Sequence, residues 1–162
     1  MPTELEHLSP EEKALMMDAI PFITILVAVA DENMDDKEVE AAQRFADMRS
    51  VDKKDRLAHY YEAIDDNLEA RIRELFAMLP ETNEEKDQYL WDKISGLNPI
   101  LAKLKAPYDY YYYDAFRSLA SYIAKASGGF LRFLTVGPQE AEVIDLPMLT
   151  PIAKPLDPDD LF

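Results

Sequence analysis

The chain has 162 residues, of which 48% are hydrophobic, 4 are glycine and none is cysteine, and its formal net charge is −15. That length suits one domain with a real core. The charge argues against nucleic acid and anionic membrane surfaces as partners, and the missing cysteines exclude disulfides, thiolate metal sites and a cysteine nucleophile.

Residues 1–8 are acidic and lack the apolar centre of a signal peptide, which predicts a cytoplasmic protein with a mobile N-terminus. Ser9-Pro10-Glu11-Glu12 is a strong helix start, with Ser9 as N-cap, Pro10 at the first helical position and Glu12 closing a capping box. The helix it opens should run from about Pro10 to Ala30. From Ile20 to Ala30 only Pro21 and Thr24 interrupt an apolar run. A helix with no polar face belongs in the middle of a fold, and this one is shorter than the roughly 20 apolar residues a membrane span needs. A buried strand is the rival, because Ile23, Ile25, Val27 and Val29 are β-branched and alternate. The helix is preferred, with Pro21 kinking or splitting it.

After Ala30 the composition turns acidic: Asp31, Glu32, Asp35, Asp36, Glu38 and Glu40 crowd around Lys37. Asp35 reads as the N-cap of a second helix, and acids in a first turn are favourable. Asp31 is different, because it lies where the carbonyls of a helix C-terminus already make the potential negative. A cation would compensate it. The carboxylates of Asp31, Asp35 and Glu38, with the Asn33 side chain, form an oxygen set of the kind Ca²⁺ or Mg²⁺ takes. The stretch is not an EF-hand, since Asp36 replaces the turn glycine and Ala42 stands where the bidentate glutamate should be. An acidic, solvated, capping turn is the plain alternative.

A second helix over about 36–49 presents Val39, Ala42, Phe45 and Ala46 on one face. A third, about 53–63, carries Leu57, Tyr60 and Tyr61. A fourth follows Ile64, Leu68, Ile72, Leu75, Phe76 and Leu79 to a stop at Pro80. Thr82 and Glu85 make another capping box for a fifth helix, about 83–104, which Gly96 and Pro99 should bend or split. Pro107 opens a sixth helix that ends at Ser127-Gly128-Gly129. The loop 130–136 is too apolar to be left in water, and a last short helix should hold Val143 and Ile144. Prolines and aspartates make 151–162 a loosely ordered tail. The sum is an all-α, single-domain bundle of about seven helices over residues 9–150.

Val27–Asp31 before one acidic helix start is echoed by Ile123–Ser127 before Gly137-Pro138-Gln139-Glu140, which aligns Glu38 with Glu140. These residues carry a family resemblance. Val27-Ala28-Val29-Ala30-Asp31 with Met34–Glu38, and Ile123-Ala124-Lys125-Ala126-Ser127-Gly128-Gly129-Phe130-Leu131 with Glu140, resemble the two interhelical turns of the TerB-like, tellurite-resistance family, over roughly Pro21 to Ile144. The resemblance implies two pseudo-symmetric helical halves around the buried central helix. It also implies a stress-associated binding role without catalysis, and divalent-cation ligands at Asp31, Asp35 and Glu38, with Glu140 the weaker counterpart. The sequence departs from the family at Glu32, where glycine is usual; Asn33 then takes the left-handed position.

Other candidates are weaker. His7 and His59 lack partners at ligand spacing. Tyr108 and Tyr110–Tyr113 are dense enough for a protein-partner or homo-oligomer surface, against core packing as the alternative. An enzymatic reading needs paired carboxylates holding Mg²⁺ for phosphate hydrolysis. Glu81 and Glu84, Glu84 and Glu85, or Glu62 and Asp65 have the spacing, and facing acids from two helices would favour it.

Overall fold

A computed structural model describes residues 1–29, 34, 36–126, 133–134 and 141–156. Among these the chain is helical: α1 (Pro10–Ala28), α2 (Asp36–Val51), α3 (Ala58–Asp65), α4 (Leu68–Ala77), α5 (Asn83–Ser95), α6 (Leu97–Leu101) and α7 (Tyr108–Ala126). Short 3-10 turns cover Thr3–Leu5 and Val143–Asp145, and one antiparallel pair joins Phe133 to Glu142 and Leu134 to Ala141.

Helix α1 is the axis. It starts as the sequence predicts: the Ser9 hydroxyl accepts from the Glu12 amide at 3.1 Å, and the Glu12 carboxylate accepts from the Ser9 amide at 2.9 Å. Lys103 adds a 2.6 Å ion pair to Glu12, and that bond, ahead of the Ser9 amide, lowers the Glu12 carboxyl to about 2. Every residue from Ala19 to Val29 is buried. α2, α4, α5, α6 and α7 all contact α1, so the run with no polar face finds apolar partners all round. The strand alternative for Ile23–Val29 is thereby excluded.

Pro21 does not split α1, which continues through it. Proline removes one backbone donor from the ladder. Two side chains supply polar contacts to this part of the helix: the Thr24 hydroxyl donates to the Ile20 carbonyl at 2.8 Å, and the buried Tyr60 hydroxyl of α3 donates to the Met16 carbonyl at 2.5 Å. Tyr60 also meets Tyr61 and Tyr112 edge to face, with centroids 5.5 and 5.1 Å apart. Phe45 continues the aromatic chain to Tyr61 and Tyr122, and Phe116 extends it from Tyr112.

Several boundaries differ from expectation for identifiable reasons. α3 begins at Ala58 rather than near Lys53 because carboxylates hold the preceding turn: Asp52 accepts from the Lys54 amide and Asp55 from the Leu57 amide. The predicted fifth helix is divided at Gly96 into α5 and α6. A Cβ there would lie 3.2 Å from both Leu15 Cδ2 and the Lys93 carbonyl, so the absence of a side chain lets this junction sit against α1. Residues 1–8, expected to be mobile, are docked. Leu5 and Leu8 are buried in the core, Tyr112 donates to the Glu4 carboxylate at 2.7 Å, and His7 bonds the Lys103 carbonyl at 3.0 Å. Beyond the described pair, Val143, Leu146, Met148 and Leu149 are buried, and the Asn98 side chain clamps this segment. It donates to the Met148 carbonyl and accepts from the Thr150 amide, each at 2.8 Å. The expected last helix is a single 3-10 turn. Of the tail, 151–156 lacks regular structure and the remainder lies outside the described residues.

The Tyr60 hydroxyl is a buried donor with one acceptor. Tyr60→Phe should retain the ring stack and lower stability by about 1 kcal/mol, or about 2–4 °C in midpoint. Urea unfolding with an unchanged far-ultraviolet dichroism spectrum checks it.

Candidate functional site

The predicted acidic turn joins α1 to α2. Asp31, Asn33, Asp35 and Glu140 lie outside the described residues; Glu38 is the candidate ligand that is described. It stands in the first turn of α2 and is only 3% exposed. Its neighbour Asp36 points outward, where Arg73 of α4 reaches it at 2.7 Å. Met34 is half-buried against the core, and Val29 and Val39 are buried at the two helix ends. The ends of the turn are therefore anchored, and one carboxylate on the α2 side is turned inward.

The acids proposed as hydrolytic pairs are arranged differently. Glu62, Glu81, Glu84 and Glu85 are exposed and Asp65 is half-buried, so none of these pairs forms an inward-facing set from two helices. Among the described residues no group of three or more histidine or acidic side chains is gathered for a metal. His59 is exposed and sits 3.6 Å from Glu62 on its own helix.

The structure does bring together a different pair of acids, on α2 and α3. Gln43 donates to Asp47 at 2.9 Å and to Asp65 at 2.6 Å. The proximity of the two carboxyls lowers Asp47 and raises Asp65 to about 6. This juxtaposition joins residues 18 apart with no motif, so sequence reasoning had no means of finding it. Tyr112 and Tyr113 are buried, while Tyr108, Tyr110 and Tyr111 are half-buried. Tyr110 and Tyr111 line a cavity of about 320 Å³ together with Arg56, Pro107 and the chain's own Lys154, Pro155 and Leu156. Burial raises the phenols of Tyr60, Tyr61 and Tyr112 far above their ordinary value, with Glu4 adding to the effect at Tyr112.

A second polar feature lies between α2 and α7. Arg49, Arg117, Lys125, Ser118, Ser121 and Tyr122 surround a cleft of about 400 Å³, with Phe45, Ile144 and Asp145 completing its wall. The signal was present in the sequence: residues 117, 121 and 125 fall four apart on one face of α7.

No family model matches this chain, and neither the curated proteins nor the solved structures contain a match. Among the described residues, no helix is long and apolar enough to cross a membrane.

The Asp47–Asp65 pair carries a pH signature. Asp65 holds its proton more tightly folded than unfolded, so its contribution to stability falls as pH rises from its ordinary 3.8 through about 6. Asp65→Asn should raise the unfolding midpoint at pH 7.5 and give less or no gain at pH 5. Because the pair is largely solvated, the gain is no more than about 1 kcal/mol. Thermal unfolding of parent and variant at both pH values measures it.

Proposed function

We propose that this chain is a non-enzymatic, TerB-like binding domain of stress and tellurite-resistance systems. It holds Ca²⁺ or Mg²⁺ at the turn between α1 and α2, through Asp31, Asn33, Asp35 and Glu38. In this reading the domain has two pseudo-symmetric halves, Glu140 is the weaker counterpart in the second half, and the protein acts in the cytoplasm. Tyr108, Tyr110 and Tyr111, which keep part of their rings at the surface, supply a face for a protein partner or a second copy.

The observation that carries the reading is Glu38. This carboxylate is 3% exposed in the first turn of α2, beside a turn rich in further acids. A divalent cation at that turn would take its oxygens as ligands and would neutralise Asp31 at the carbonyl end of α1. The central, all-round burial of α1 supports the same reading, because it fixes where one side of the turn begins.

A cation bound by the native state alone raises its stability by about 2.7 kcal/mol at a hundred times the dissociation constant. For a domain of this size that is about 5–10 °C. Thermal unfolding in EDTA is to be compared with unfolding in added Ca²⁺, Mg²⁺ or Zn²⁺. The parent should gain with Ca²⁺ or Mg²⁺, and the Asp31→Asn, Asp35→Asn double variant should not. An unchanged parent midpoint for every ion, or an equal gain in the variant, reduces the turn to a solvated cap.

A further inference from the structure

A chain with a net charge of −15 has few cations to spare, yet three of its 17 lysines and arginines surround one cleft. We infer that the cleft between α2 and α7 binds the phosphate group of a small phosphorylated molecule, with the guanidinium groups of Arg49 and Arg117, the ammonium of Lys125 and the hydroxyls of Ser118 and Ser121 as its donors. This site is separate from the cation reading. Arg49 stands 11 residues beyond Glu38 on α2, roughly 16 Å along the helix.

Three observations carry it. First, the cations are differently placed, and two of them are free of carboxylate partners among the described residues. Arg49 is half-buried; it stacks on Phe45 with its guanidinium carbon 4.3 Å from the ring centroid, and it pairs with Asp55 at 3.3 Å. These contacts fix the direction of its fork and so reduce what is lost on gripping an oxyanion. Arg117 lies over Tyr113 at 5.5 Å. Among the described residues, neither Arg117 nor Lys125 has a carboxylate within ion-pair distance. Secondly, the donors have the right chemistry. Arginine forks and hydroxyls match the several acceptor oxygens of a phosphate, which a lone lysine cannot. Thirdly, the cleft has room and an apolar wall. About 400 Å³ accommodates a small metabolite, and Tyr122 and Ile144, both half-buried, offer a surface for its organic part.

The acidity of the whole does not forbid this. Charges more than about 8 Å away are largely screened at physiological salt, so the local cations govern the cleft. Among the described residues Asp145 is the one acid in its lining, and Asp55 pairs with Arg49, so three cations stand against two carboxylates there.

The test is titration of the full chain with inorganic phosphate and with adenosine monophosphate, a phosphomonoester bearing a planar ring, followed by amide NMR shifts and calorimetry. Saturable binding of both is expected, tighter for the nucleotide, with shifts centred on Ser118, Ser121 and Tyr122. Arg117→Glu with Lys125→Glu exchanges two side chains that are exposed, so the fold should persist, and it should weaken binding by about tenfold or more. Arg44→Glu, an exposed change outside the cleft, controls for overall charge and should bind as the parent does. Absence of saturation by either probe at about 20 mM, or equal loss in the Arg44 control, overturns the inference. Nucleotide binding no tighter than that of phosphate overturns the role given to Tyr122.

Discussion

The architecture depends on one constraint: α1 has no face it can show to water. Over Ala19–Val29 every side chain is buried. Large members such as Ile20, Phe22, Ile23, Ile25 and Leu26 each contribute about 1.5–3 kcal/mol when fully buried. No single amphipathic partner can cover such a rod, because one helix hides only one stripe. The chain therefore wraps α1 with α2, α4, α5, α6 and α7. The remaining pieces follow from that arrangement. Leu5 and Leu8 close one part of the core, and the segment around Val143–Leu149 closes another.

A rod so enclosed must also satisfy its polar groups without water. At the N-terminus the capping box does this, and Lys103 ties it to the residues after α6. Further along, Thr24 and Tyr60 bond the Ile20 and Met16 carbonyls in the turns before Pro21. Arg71 grips Asp18 through two bonds of 2.8 Å, which fastens α4 to the outer edge of α1. These contacts are spread along the helix, so the neighbours are held in register by directional bonds as well as by apolar burial. Tyr60 belongs to both sets: its ring sits in the aromatic chain between α2 and α7, and its hydroxyl reaches the axis.

Much of this was legible from the residues in order. The apolar run after Ile20, broken only by Pro21 and Thr24, announced a central helix, Ser9 and Glu12 its start, and Gly96 the break between α5 and α6. The signals that failed were short or local. Leu5 and Leu8 are two apolar residues in an acidic stretch, too few for periodicity to register, yet burial of a pair is enough to dock a terminus. Asp52 and Asp55 add nothing to the apolar period, but their carboxylates accept from the Lys54 and Leu57 amides and hold the turn before α3. The candidate cation site was legible only as composition. Its chemistry rests on side-chain convergence, a property of three dimensions, and of its predicted ligands Glu38 alone is described.

Charge follows a rule that accounts for part of the cleft and leaves part over. α2 carries Asp36 and Glu38 in its first turn and Arg49 in its last, and α7 carries Asp109 in its first turn and Lys125 in its last. Both helices thus complement their own dipoles, which is reason enough for Arg49 and Lys125 to stand where they do. Arg117 has no such reason. It lies in the body of α7, exposed, two turns before Lys125 and in line with Ser121. Helix-end electrostatics placed two cations near each other. The third cation and the two hydroxyls are what turn that coincidence into a set of donors facing one cavity, and a set of donors is completed by an anion.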